Sequence, residues 1–164
     1  LRVSVNSFIS FVNDPNMKNA TEMSIAANLA GKAISISKTT APHAVSYPFT
    51  SLFNISHGHA VSLFFEKFFK FNYENLEKSE VSFVLKKRFD LIFNLFDVPN
   101  IESFNSKISS IKNQSKLSDN MKLLNIDLDK NIDKIIGGVN LLRLGNNPVK
   151  IDGKDITNII LDKR

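Results

Sequence analysis

The sequence predicts an all-α protein, a multi-helix bundle formed by one domain over residues 1–164. Apolar residues recur at spacings of three and four along most of the chain, which is the periodicity of helices that bury one face. The apolar–polar alternation of half-buried strands is almost absent. From these periodicities we expect about six to eight helices.

The N-terminal third predicts two helices. Residues 3–12 carry apolar side chains at positions 5, 8, 9 and 12, and the segment NDPN at 13–16 then breaks the chain. Thr21 precedes the Ala-rich segment EMSIAANLAGKAISI, whose small residues share a face and predict close helix packing. Gly31 costs a helix about 1 kcal/mol relative to Ala, so we expect it to have a packing or site role.

The rest of the chain predicts further helices. A short helix is expected near 43–53, with Pro42 near its start and Pro48 ending or kinking it. The segment at about 57–71 is apolar on most sides, which indicates a helix central to the domain. Later helices are expected at about 80–96, 100–113, 129–144 and 154–162.

Composition excludes several classes of protein. Cysteine is absent, which rules out disulfides and thiolate metal sites and fits a reducing, cytoplasmic location. No apolar run reaches the roughly 18 residues of a membrane helix, and no charged-then-apolar leader opens the sequence. The net charge of +5 is scattered among acidic neighbours, with KKR at 86–88 as the only basic run. We therefore expect neither a membrane nor a nucleic-acid partner.

All three histidines, His43, His57 and His59, lie in one short stretch. His43 and His57 are fourteen positions apart, and Pro48 between them predicts two successive helices whose starts converge. Neutral imidazoles suit Zn, Fe, Ni or Cu. A catalytic site usually takes three protein ligands, so the pair alone leaves capping or hydrogen bonding as an alternative to metal binding.

The segment HAVSYPFTSLFNISHGHA resembles the signature of iron-containing (group III) alcohol dehydrogenases. In that family a His followed by a small residue precedes, by fourteen positions, a His-Gly at a helix start. MSIAANLAGKAIS resembles the Ala/Gly-rich helix before the signature, and RLGNNPVKIDGKDITNII resembles the C-terminal end of the family. The likeness covers about 21–72 and 140–162, whereas 73–130 matches only as a helical pattern.

The resemblance implies a C-terminal helical domain of the dehydroquinate synthase-like superfamily, with His43 and His57 as its last two metal ligands. It also implies a divalent metal, Fe²⁺ or Zn²⁺, that polarises the oxygen of a small alcohol or aldehyde. Hydride would be exchanged with NAD(P)H, bound by an N-terminal nucleotide-binding domain. No residue of this chain is predicted to bind that cofactor, so we expect the chain alone to be inactive.

Several positions refine or qualify the resemblance. Many members carry another His four positions after the first ligand, where this chain has Tyr47, so a proton relay there is in doubt. The segments SKTTAPHAVSYPFT and HGHAV resemble members that reduce small phosphonate aldehydes. Lys38, Thr39 and Thr40 would then contact an anionic substrate, although Lys38 also fits a solvated side chain at a helix C-terminus. His59 is predicted to support the site or the core and not to bind metal.

Two expected features are missing from the sequence. The first ligands of the family, an acidic residue and usually a His four positions later, have no counterpart, and no Gly-rich phosphate-binding turn occurs. We therefore expect the chain to begin inside the helical domain, with apolar surface uncovered and a possible homo-oligomer as a result. The alternatives are a dehydroquinate synthase-like lyase, a non-catalytic helical interaction module and, less favoured, a nucleic-acid binder.

Overall fold

The computed structural model describes residues 1–163, which form ten α-helices and one short 3-10 helix at Leu76–Lys78. Within these residues the only β pairing is an isolated antiparallel bridge between Ser79 and Val149, so the predicted all-α class is confirmed. The helices are α1 (Arg2–Asn13), α2 (Met17–Ser37), α3 (Ala41–Phe53), α4 (His57–Ser62), α5 (Phe65–Glu74), α6 (Leu85–Phe96), α7 (Ile101–Gln114), α8 (Leu128–Gly137), α9 (Leu141–Leu144) and α10 (Gly153–Leu161).

The described chain divides into two compact units. The first unit combines Leu1–Lys38 with Lys87–Leu117, and the second combines Thr39–Lys86 with the chain from Ser118 onward. The first therefore holds α1, α2, most of α6 and α7, and the second holds α3 to α5 and α8 to α10. Over residues 1–163 no helix combines the length and apolarity needed to cross a bilayer.

In the first unit, α2 begins earlier than the sequence predicted because Asn16 caps it. The Asn16 side chain accepts hydrogen bonds from the backbone N–H groups of Lys18 and Asn19, at 3.0 and 3.1 Å. The Asn19 side chain in turn accepts from the Asn16 N–H at 2.8 Å, which completes a reciprocal cap. Thr21, the predicted start, lies inside α2 and donates to the carbonyl of Met17.

Most of the small-residue face of α2 is unpacked within residues 1–163, contrary to the prediction. Ala26 is buried, but Ala27, Ala30 and Ala33 of the same face are exposed, and Ile34 is 43% exposed. A methyl group at Gly31 would have no neighbour within 4 Å, so the packing role predicted for that glycine is wrong for this range. The core of this unit is aromatic instead, since Phe93 and Phe96 of α6 lie 6.0 and 5.0 Å from the ring of Phe104.

In the second unit, two predicted helices are each divided, which explains why there are more helices than expected. The segment at 57–71 breaks between α4 and α5, where Leu63 and Phe64 are both buried and Phe64 packs 5.0 Å from the ring of Phe49. The segment at 129–144 breaks after Gly137 into α8 and α9. The largest fully buried apolar side chains of this unit are Val45, Phe49, Phe68, Ile135, Val149, Ile156, Ile159 and Ile160.

The helix α3 runs from Ala41 through Pro48 to Phe53, which confirms the helix predicted near 43–53, and Pro48 does not end it. Proline has no N–H, which leaves the carbonyl of Ala44 without its partner in the helix. That carbonyl instead accepts a hydrogen bond from the N–H of Asn140 at 3.2 Å. A methyl group at Gly138 would lie 3.0 Å from Cβ of Pro48, so the chain between α8 and α9 packs directly against α3.

Candidate metal centre

The second unit brings the imidazoles of His43 and His57 together. His43 lies in the first turn of α3, and His57 is the first residue of α4. Their ring centroids are 5.6 Å apart, with the planes tilted by 60°. His43 is half-buried and His57 is exposed, so this imidazole pair lies at the surface of its unit. The geometry is the convergence of two helix starts that the spacing predicted, while metal binding itself stays a prediction.

A short connection between α3 and α4 produces this convergence. Asn54 ends α3 in the left-handed conformation, with φ 54° and ψ 33°, which asparagine adopts more readily than most residues. Ile55 is buried and anchors the loop, and Ser56 is the N-cap position of α4. The reversal takes three residues, so the first residue of α4 returns to the face of α3 that carries His43.

Ser46 connects the two histidines and is fully buried. Its hydroxyl donates to the carbonyl of His43 at 2.8 Å and lies 3.3 Å from Nδ1 of His57. Because a serine hydroxyl has one hydrogen, it accepts from His57, and Nδ1 of His57 carries the proton. In the neutral form of the His57 imidazole, Nε2 is then the unprotonated nitrogen, with a lone pair available for a metal. Ser46 was not among the predicted site residues, although its position three residues after His43 on a helix was a usable signal.

The charge state of His43 also suits metal binding. Burial lowers the pKa of His43 below its ordinary value of 6.5, and the nearby His57 and Arg143 lower it further. Both effects disfavour the imidazolium form. His43 is therefore neutral near pH 7, the form in which imidazole binds metal.

Tyr47 and Arg143 lie beside the imidazole pair. The ring centroid of Tyr47 is 5.6 Å from that of His57, and the guanidinium carbon of Arg143 is 5.4 Å from the Tyr47 centroid. Nη1 of Arg143 donates to the hydroxyl of Thr39 at 2.6 Å. Asn146 donates to the Thr39 carbonyl at 3.3 Å. Tyr47 and Thr39 were predicted to lie near the site, whereas Arg143, which comes from a distant segment, was not.

Three other residues that the sequence suggested for the site lie outside the imidazole pair. Nε2 of His59 donates to the carbonyl of Ser118 at 2.5 Å, an arrangement that supports the fold. Thr40 is the N-cap position of α3 and makes no side-chain cap. Lys38 belongs to the first unit, is exposed and donates to the carbonyl of Ser35 at 3.2 Å. Contact of Lys38 or Thr40 with a substrate stays a prediction.

The imidazole pair is an incomplete ligand set by itself. Within residues 1–163, no group of three or more His, Asp or Glu side chains is placed to hold a metal ion. A catalytic metal usually takes three protein ligands and one open position. A complete site would therefore need ligands in addition to His43 and His57.

A family model described as the Fe-containing alcohol dehydrogenase family, C-terminal, matches residues 2–163. No curated protein and no solved structure matches the chain. The match includes 73–130, where the sequence resembled the family only as a helical pattern. Since it spans nearly all of the 164 residues, the chain belongs to the Fe-containing alcohol dehydrogenase family and corresponds to the C-terminal part of its members.

Proposed function

We propose that this chain is the helical, metal-binding part of an NAD(P)-dependent oxidoreductase that interconverts a small alcohol and its aldehyde. The observation that carries the proposal is the 5.6 Å separation of the His43 and His57 rings in a chain of this family. These two residues would hold a divalent ion, Fe²⁺ or Zn²⁺. When bound, such an ion supplies Lewis-acid polarisation of an alcohol or aldehyde oxygen.

The imidazole pair fits such an ion in spacing and in protonation. Two nitrogens that share one ion lie at most about 4 Å apart, given metal–nitrogen bonds of about 2.1 Å. Ring centroids lie further apart than the coordinating nitrogens, so 5.6 Å between centroids is compatible with a shared ion. The contact of Nδ1 with Ser46 leaves Nε2 of His57 as the nitrogen for a metal in the neutral ring, and the lowered pKa of His43 favours its neutral form.

Each neighbouring side chain has a distinct role in this proposal. Ser46 orients the His57 ring and fixes its protonated nitrogen. The Tyr47 ring lies against His57 and shields it from water on that side. The nicotinamide cofactor, which supplies or accepts the hydride, binds to a separate nucleotide-binding domain.

The test is calorimetric titration of the metal-free chain with Fe(II) and with Zn(II). We expect weak binding that is lost in His43→Ala and in His57→Ala, because each removes half of the ligand pair. The control is His59→Ala, which removes the third histidine and leaves the pair intact. Circular dichroism spectra of all variants separate loss of a ligand from loss of the fold.

Binding that persists in both His43→Ala and His57→Ala would contradict the assignment of the metal ligands. Tight binding by the chain that His43→Ala abolishes would show that this chain completes its own site. A parallel assay measures NAD(P)H oxidation with short aldehydes, and we expect no turnover from this chain alone. Turnover would place the hydride donor site inside the present sequence. It would contradict the proposal that the cofactor binds to a separate nucleotide-binding domain.

A further inference from the structure

The guanidinium group of Arg143 is a positive charge placed beside the imidazole pair. One ring, that of Tyr47, contacts both partners: its centroid is 5.4 Å from the guanidinium carbon and 5.6 Å from the His57 centroid. These distances place the charge no more than about 11 Å from the His57 ring, close to the Debye length of about 10 Å at 0.1 M salt. Within residues 1–163 no carboxylate forms an ion pair with Arg143, and its hydrogen bond goes to the neutral hydroxyl of Thr39.

The surrounding structure holds this charge in place. Thr39 is buried, accepts from the guanidinium at 2.6 Å, and is itself held by Asn146, which donates to its carbonyl. The side chain of Asn140 accepts from the Arg143 backbone N–H at 3.0 Å, and the Asn140 N–H donates to Ala44 of α3. The charge is therefore fixed at both ends of the side chain, so its field on the imidazole pair is a constant feature of the fold.

A divalent ion at the imidazole pair would be repelled by this charge. Neutral imidazoles contribute no negative charge, so His43 and His57 do not offset the repulsion. A divalent and a univalent cation about 10 Å apart in water repel each other enough to weaken binding about fourfold at low salt. The charge of Arg143 is also one cause of the lowered pKa of His43, so its field reaches both imidazoles.

We propose that Arg143 is a positioning residue of the metal centre, a fixed charge that lowers the affinity of His43 and His57 for a divalent ion. The same repulsion favours negative charge that develops on a substrate oxygen near the ion, because that charge offsets both cations. Arg143 thus exchanges tight metal binding for stronger polarisation of the substrate. This inference rests on the proposed function, since it concerns an ion held by the imidazole pair.

The experiment is calorimetric titration of the metal-free chain with Zn(II) at an ionic strength of about 0.01 M, where the Debye length is about 30 Å. We expect Arg143→Gln to bind Zn(II) about fourfold more tightly than the original chain. A purely structural role predicts the opposite, because loss of the contacts of Arg143 would loosen the site. Arg143→Lys keeps the charge and should bind Zn(II) with nearly the original affinity. The matched control is Lys154→Gln, which removes the same charge from an exposed position on α10 and should give a smaller gain.

Ionic strength gives a second measurement, which needs no variant. In about 1 M of a salt whose anion does not bind zinc, the Debye length falls to about 3 Å. The affinity of the original chain should therefore rise with ionic strength, and the affinities of the original chain and Arg143→Gln should converge. Circular dichroism checks the fold of each variant, and the salt series and Arg143→Lys carry the test if Arg143→Gln does not fold.

Equal gains from Arg143→Gln and Lys154→Gln would overturn the inference, since the effect would then follow net charge and not position. Weaker binding by Arg143→Gln would overturn it as well. If the original chain binds Zn(II) through His43 and His57 but Arg143→Gln binds it equally well, the inference fails and the proposed function stands. If neither chain binds Zn(II), both fail.

Discussion

Ser46 and His57 are joined by a contact of 3.3 Å between Oγ and Nδ1, which connects the interior of α3 to the first residue of α4. Histidines that bind metals almost always donate their other ring N–H to a fixed acceptor, which sets the tautomer and the ring orientation. Ser46 fills that role with a fully buried hydroxyl that is itself held by the carbonyl of His43. The imidazole pair thus has a supporting group besides its two candidate ligands.

Ser46→Ala is expected to weaken Zn(II) binding by about 10- to 100-fold, the usual effect of removing a group that orients a metal ligand. The matched control is Ser51→Ala, because Ser51 also lies on α3 and donates to a carbonyl three residues earlier, at 3.3 Å. Calorimetric titration measures both affinities. Ser46 would have no orienting role if the two variants bound Zn(II) equally well.

His43 is expected to titrate with a midpoint below 6.5, because burial, His57 and Arg143 all lower its pKa. The unfolded chain then binds a proton at higher pH than the folded chain, so the free energy of unfolding falls as the pH drops below 6.5. His43→Gln removes this contribution and should make the fall shallower. NMR titration of the three histidines gives the midpoint, and urea unfolding on both sides of that pH gives the stability. A midpoint at or above 6.5 would contradict the described environment of His43.

Gly138→Ala is expected to destabilise the fold by about 1–3 kcal/mol, since its Cβ would be forced against the rigid ring of Pro48. Gly137→Ala is the matched control, because a methyl group there has no neighbour within 4 Å. That control should be neutral or stabilising by up to about 1 kcal/mol, as alanine favours the helix more than glycine does. Urea unfolding measures both. Equal stability of the two variants would show that α8 and α3 are not in close contact at this point.

Asn16→Ala is expected to cost about 1 kcal/mol, the typical loss when an N-cap side chain is removed from a helix. Thr21→Ala should have a much smaller effect, because Thr21 lies inside α2 and is exposed. Thermal unfolding of the two variants compares them directly. A larger loss for Thr21→Ala would move the start of α2 to the position that the sequence predicted.

The helical class was predictable because the periodicity of apolar residues is local information. The first helix illustrates this, since residues 3–12 were predicted and α1 spans Arg2–Asn13. The division between α4 and α5 was not predictable in the same way. It depends on the burial of Phe64 against Phe49, which is a tertiary contact that helical periodicity does not encode.

In the candidate site, too, local sequence features were predictable and tertiary contacts were not. His43 and His57 stood out because histidine is rare here and their spacing is distinctive. Arg143 did not stand out, since its contact with Thr39 joins residues that are distant along the chain. The effect of Pro48 was left open between ending and kinking the helix, because the carbonyl that Pro48 frees is paired by Asn140, a residue far along the chain.

The bond from Asn140 to Ala44 has a consequence for the order of folding. In the helix that carries His43, Pro48 leaves the carbonyl of Ala44 without a partner in the helix, and this carbonyl is paired by a segment far along the chain. Closing so large a loop is entropically costly and slow compared with helix formation. Asn140 also caps the short helix that carries Arg143. The docked position of Asn140 on α3 therefore also fixes the position of Arg143. Pairing of the Ala44 carbonyl and placement of Arg143 therefore depend on the same docked segment, whereas the imidazole pair depends on the short connection between α3 and α4.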